Sequence, residues 1–122
     1  MIRQLIDLPN FINTDDSILL ETRLREKRLM YFQVFEKPKL ILQTLRHGVY
    51  LFINCFMEIA YIGYSKDMQS RIRKHEKYEN GDTIIAIMTY SEDQGEVLET
   101  QLVSLFLPKR NKIRKLKGKR YK

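Results

Sequence analysis

Three short apolar runs rich in β-forming residues stand out along the chain: GVYLFIN at 48–54, IAYIGY at 59–64 and TIIAIMTY at 83–90. Each is bounded by glycine, turn residues or acids, and each has the length of a strand rather than a helix. The first two predict neighbouring strands that present Tyr50 and Tyr61, and the third predicts a central strand. Between them Met68 and Ile72 fall four apart in a basic segment, which predicts a helix over 67–77 with Arg71 and His75 on an adjoining stripe. ENGD at 79–82 predicts a turn. After Ser91, a good N-cap, Leu98, Leu102, Leu105 and Phe106 face inward on a helix that Pro108 stops. The connection CFME at 55–58 has no Gly, Asn or Asp for positive φ. Either the strands extend into it or Phe56 and Met57 form a contact surface.

The first third reads differently. Residues 1–13 predict an irregular or short helical lead, with Pro9 preventing a long helix. From Thr14, TDDSILLETRLREKRLMYFQVFE has a helix-start signature at Asp15, Asp16 and Ser17 and an untidy amphipathic pattern that ends before Pro38. KLILQTLRH at 39–47 suits either a short helix or an extended lead into the sheet. The expectation is an N-terminal helical extension over 1–47 that packs Leu19, Leu20, Leu24 and Phe32 on the sheet, rather than a dimerisation or DNA-contacting arm. The whole predicts an α/β (α+β) fold: a small mixed three-stranded sheet flanked by helices, in the order β-β-α-β-α.

Charge adds a partner. The chain has 22 Lys and Arg against 15 Asp and Glu, a net charge of +7. Nine of the basic residues fall within 109–122, which holds no acid, so the other 108 residues carry 13 basic and 15 acidic side chains, a net of −2. A near-neutral body with a basic tail points to nucleic acid first and an anionic membrane surface second, with a merely solubilising tail as the plain alternative. The 122 residues suffice for one domain and one modest core. No apolar run approaches the roughly 18 residues of a membrane span, and MIRQLIDLPNF has no secretion-signal pattern. A single cysteine, Cys55, excludes an internal disulfide and a cysteine-based zinc site; a cytoplasmic, DNA-associated placement is expected.

Five positions then fall in order: the triplet GVY around Tyr50, the triplet YIG opened by Tyr61, Arg71 eight residues after Gly63, and Glu99 and Asn111 twelve apart. In this the stretch 48–112 resembles the GIY-YIG nuclease family, with valine keeping a β-branched residue where the first triplet has isoleucine. Either triplet alone is a weak signal; the ordered set is strong. The resemblance implies a metal-dependent DNA endonuclease that nicks one strand per active site. It implies that Glu99 binds a single Mg2+ or Mn2+ and that Arg71 binds the scissile phosphate. Tyr50 and Tyr61 would be the general base and its hydrogen-bonded partner, in either order. His75 would assist in proton handling or phosphate contact, and Asn111 would support the site. These types suit the reaction: a guanidinium fork neutralises phosphate oxygens, a carboxylate holds a hard cation, and a phenol moves a proton.

Taken singly, the plain readings are strong. Tyr50 and Tyr61 pass as strand aromatics, Arg71 as one solvated charge beside Arg73, His75 as a structural histidine, Glu99 as a surface acid and Asn111 as a helix cap. The alternatives to the enzyme are a catalytically silent nucleic-acid-binding module that retains the fold, and a basic-tailed interaction protein. No separate DNA-binding domain fits in the chain. Contacts to DNA therefore fall to Arg71, Arg73 and Lys74, to Lys109, Arg110 and Lys112, and to Arg114, Lys115, Lys117, Lys119 and Arg120 in and beside the basic tail, 113–122. Specificity falls to residues 1–47, the tail or a partner protein, or hardly exists; a homodimer or a partner protein is the expected association.

Overall fold

The computed structural model describes residues 2–35 and 47–111. The expectations for the end of the first helix at Lys37 and Pro38, for KLILQTLR and for the tail beyond Asn111 lie outside the described residues. The elements in chain order are β1 (Ile2–Gln4), a 3-10 helix (Leu5–Asn10), α1 (Thr14–Glu26), β2 (Tyr31–Phe35), β3 (Gly48–Ile53), β4 (Ile59–Ser65), α2 (Met68–Arg73), β5 (Thr83–Met88) and α3 (Glu92–Phe106).

The three expected strands are present, but among the described residues the sheet has five strands in the order β1-β2-β5-β3-β4, and every pairing is antiparallel rather than mixed. The extra two come from the first third of the chain, where the pattern predicts an irregular or helical lead and then a helix, and no strand. A central strand has two edges to satisfy. β3 takes one edge of β5 (Leu51↔Ile85, Val49↔Ile87), and β2 takes the other (Val34↔Ile85, Phe32↔Ile87). The long helix expected from Thr14 therefore stops at Glu26. Arg28 adopts φ 60°, and the amides of Arg28 and Leu29 donate back to Arg25 and Leu24 carbonyls at 3.0 and 2.8 Å, a C-terminal cap of the Schellman type. An L-residue in this conformation costs roughly 1–2 kcal/mol. The Tyr90 hydroxyl, donating to the Arg28 carbonyl at 2.8 Å, helps to hold it there. At the other end the cap is Asn13, whose Oδ1 accepts from the Asp16 amide at 2.9 Å, whereas the Ser17 hydroxyl turns inward to the Thr14 carbonyl.

Two apolar layers sandwich the sheet. On one face Val49, Leu51, Ile53, Ile62, Ile85 and Ile87 pack with Leu98, Leu102 and Val103 of α3, with Leu20 and Leu24 of α1, and with Leu5 and Leu8 of the 3-10 helix. Burying a leucine contributes about 1.5–3 kcal/mol, so Leu20 and Leu24 are enough to dock α1 despite its untidy pattern; Leu19 stays 46% exposed. On the opposite face Tyr50, Phe52, Tyr61, Ile84 and Ala86 lie with Met68 and Ile72 of α2. This second layer carries the candidate site.

The β3–β4 turn is organised without glycine. Asn54 Oδ1 accepts from the amides of Phe56 and Glu58 at 2.9 and 3.0 Å, and Met57 takes φ 64°. The strands do not extend into the turn, and Phe56 projects, 75% exposed. α2 is shorter than its periodicity predicts: it ends at Arg73, so His75 sits in the following turn and not on the helix.

Candidate active site

β3 and β4 run side by side with Tyr50 opposite Gly63 and Phe52 opposite Tyr61. The strand alternation brings both tyrosines to the same face, where their rings stack at 6.2 Å between centroids and Phe52 fills in at 5.6 and 5.4 Å. Tyr50 is 1% exposed and Tyr61 8%. The two hydroxyls interact with each other and with the Arg71 guanidinium, which acts on the protonation of both. Arg71 itself is exposed at the top of this layer, on the short helix that Asp67 caps through the Ser70 amide.

Electrostatics join the fourth group. Burial pushes the Tyr50 hydroxyl far above the usual phenol range; the Tyr61 hydroxyl adds to that push, Arg71 opposes it and Glu99 adds a little more. Tyr61 is raised for the same first reason, opposed by Arg71 and reinforced by Glu99. The Glu99 carboxylate, 6% exposed on α3, is thus close enough for its charge to act on both phenols and is not the surface acid that helix periodicity suggests. The two phenols and the guanidinium thus interact, and the carboxylate, on the helix that packs against the other face of the sheet, lies within range for its charge to be felt by both phenols.

His75 is also buried, 3% exposed, with its ring edge-on to Tyr61 at 4.6 Å, to Phe52 at 5.1 Å and to Tyr50 at 5.6 Å. Asn111 lies on the outer edge of β4. Its side chain accepts from the Ile62 amide at 2.9 Å and donates to the Ile62 carbonyl at 2.8 Å, so a carboxamide does what a neighbouring strand would do. It does not cap α3; Leu107, at φ 47°, ends that helix. Asn111 thereby braces the residue after Tyr61.

The matching family is the GIY-YIG catalytic domain, whose model covers residues 46–114, more than half of the chain. The chain belongs to the GIY-YIG family. It is therefore a member of a nuclease family. A comparison with curated proteins finds no match. In this GIY-YIG chain the matched span holds all six residues singled out for the site: Tyr50, Tyr61, Arg71, His75, Glu99 and Asn111.

The expected nucleic-acid contacts divide. Arg71, Arg73, Lys74 and Lys109 are exposed. Arg110 turns inward, its side chain 15% exposed, onto the buried carboxylate of Asp82. Lys112, Arg114, Lys115, Lys117, Lys119 and Arg120 lie outside the described residues. Asp82, 3% exposed, looks in sequence like one more polar residue of a turn. The available signal is an acid immediately before the most apolar strand, where burial demands a cation. Gly63 is in sequence only a letter of the YIG triplet, and its steric role emerges from the register.

Among the described residues no group of three or more His, Cys, Asp or Glu side chains is placed to hold a metal. The candidate donor is one buried carboxylate, Glu99, whose charge is felt by the two phenols. That suits a hard divalent cation that keeps most of its waters and takes a substrate oxygen, and not a fully protein-ligated zinc. No helix among the described residues is long and apolar enough to cross a membrane.

Proposed function

We propose that the chain is a metal-dependent DNA endonuclease that hydrolyses one phosphodiester per active site and so nicks duplex DNA as a monomer. What supports this reading is the GIY-YIG match over residues 46–114, together with the electrostatic influence of Arg71 and Glu99 on the buried hydroxyls of Tyr50 and Tyr61.

Arg71, exposed above two buried phenols, binds the non-bridging oxygens of the scissile phosphate with its planar fork. The phenols are neutral in the resting site, because burial and Glu99 both oppose their ionisation. A neutral phenol accepts a hydrogen bond from the attacking water and orients it. As the water attacks, one phenol takes its proton while passing its own to the second hydroxyl, and the second releases one proton to solvent, so both phenols end neutral. Phe52 and His75 already pack against the Tyr61 ring and keep water from it on that side. Glu99 would hold Mg2+ or Mn2+, which supplies positive charge to the developing phosphorane and the leaving oxygen. Neutralising the Glu99 charge also removes one of the influences that keep the phenols protonated.

DNA is the substrate this reading favours, with Lys109 and the basic residues of 112–122 contacting phosphates. The test is supercoiled plasmid incubated with Mg2+ or Mn2+, with Glu99→Ala alongside. Relaxed circles from the wild type and none from the variant are expected. An intact plasmid with both ions, together with retained binding, makes the chain a silent nucleic-acid-binding module instead.

A further inference from the structure

We propose that Arg110, anchored on the buried carboxylate of Asp82, is a positioning residue that holds the His75 ring in a single neutral tautomer against Tyr61. Its catalytic consequence rests on the nuclease reading; the geometry does not.

In sequence Arg110 belongs to the basic run and passes for one more phosphate contact. Its guanidinium instead points inward. Both terminal nitrogens meet Asp82, Nη2 donating to Oδ1 at 3.2 Å and Nη1 to Oδ2, and Glu79 adds an ion pair on the rim at 3.2 Å. A carboxylate as buried as Asp82 is costly unless a cation pairs with it, so this contact fixes where Arg110 sits. Nη1 has a further acceptor, the Lys77 carbonyl at 3.0 Å.

Lys77 is the link. Its amide donates to Nδ1 of His75 at 3.1 Å. Only an unprotonated ring nitrogen accepts a hydrogen bond, so the imidazole is neutral and carries its proton on Nε2. The turn over 74–82 has no helix or strand to stiffen it. What orders it is Asp82, which accepts from the Glu79 amide at 2.9 Å through Oδ2 and from the Tyr78 hydroxyl at 3.1 Å through its carbonyl, with Arg110 closing the loop onto Lys77.

The same residue is tied to the other side of Tyr61. The Arg110 amide donates to the Ala60 carbonyl at 3.0 Å, and its neighbour Asn111 brackets Ile62. Arg110 thus clasps the strand edge carrying Tyr61 to the turn carrying His75, and sets the 4.6 Å contact between the two rings.

The test reads the ring directly. The chain has two histidines, His47 and His75, and a His47→Gln background leaves one imidazole to assign by long-range proton–nitrogen NMR. Two variants are compared with it. Arg110→Lys keeps a charge opposite Asp82 but loses the fork that also reaches Lys77. The double variant Arg110→Met with Asp82→Asn removes the ion pair without leaving a lone buried charge. Expected in either folded variant is a His75 ring whose two nitrogens average between tautomers, where the wild type shows one. Plasmid nicking should lose about tenfold or more in kcat with KM for DNA unchanged. A single-tautomer ring in a folded variant overturns the assignment. So does a raised KM at unchanged kcat, which makes Arg110 a DNA contact. Should the wild type nick no plasmid, the nuclease reading fails while the nitrogen shifts still decide whether Arg110 sets the tautomer.

Discussion

The Tyr50 hydroxyl lies over the bare Cα of Gly63, its partner across the β3–β4 pairing; a Cβ at Gly63 would stand 2.6 Å from the oxygen and 2.5 Å from Cζ. The glycine of the second triplet is there for the tyrosine of the first. Gly63→Ala must push Tyr50 out of a fully buried slot. Overpacking of this kind costs about 1–3 kcal/mol, and a displacement near 1 Å at a reacting group costs about a hundredfold in rate. The variant should melt lower yet remain folded, with nicking reduced far more than the stability loss explains. Wild-type nicking by Gly63→Ala removes Tyr50 from the reaction.

Asn111→Ala strips two hydrogen bonds from Ile62 at a buried edge. Each group left without a partner costs about 1–3 kcal/mol, less where water can enter. Chemical denaturation should show a loss of about 2 kcal/mol or more. Asn111→Asp keeps an acceptor for the Ile62 amide but sets a carboxylate against its carbonyl, and should recover little. A variant as stable as the wild type means that the edge is held by the Arg110–Ala60 bond alone.

Alkaline pH should unfold the protein through its tyrosines. An unfolded phenol ionises near pH 10, whereas burial keeps Tyr50 and Tyr61 protonated to higher pH in the native state. Above about pH 10 the unfolded chain therefore binds fewer protons than the native one, and unfolding free energy falls as pH rises. The stabilising contribution is complete below that point. Melting temperatures from about pH 9 to 11 should drop less steeply in Tyr50→Phe than in the wild type. Some slope remains, because Tyr61 and Tyr64 are shifted the same way. Parallel curves exclude Tyr50 as a linked group.

Deleting residues 113–122 removes six Lys or Arg and leaves the Asn111 hydrogen bonds in place. DNA affinity should weaken at moderate salt, and the slope of log K against log salt should flatten by about 0.9 for each phosphate that the tail neutralises in the intact chain. Nicking at saturating DNA should be retained. An unchanged slope means that the tail does not touch phosphate.

The strands of the matched span are legible because each is a compact apolar run with punctuation at both ends, and Ser91 and Pro108 mark α3 as plainly. β2 is not, since nothing in EKRLMYFQVF breaks the helical pattern: the turn is made by an arginine at φ 60°, and YFQVF becomes a strand only because β5 offers it an edge. β1, three residues long, is below what any alternation can signal. At the site, Tyr50, Tyr61, Arg71 and Glu99 are readable as an ordered set and not one by one. The Asp82–Arg110 pair is hidden, because its partners lie 28 residues apart and one of them sits in a run of like charges. Long-range electrostatic pairing leaves no periodicity for a sequence to show.

β5 lies between β3 and β2, and β2 is supplied by residues ahead of the span that the GIY-YIG model matches. The matched span is accordingly not a detachable cassette. Cut at its boundary, it would leave the strand that backs Tyr50 with a row of raw amides and carbonyls along one side, inviting fibril-like stacking before any DNA is met. For anyone fusing this domain to another protein, the junction must keep β1 and β2 with the matched span and not fall at the start of the motif.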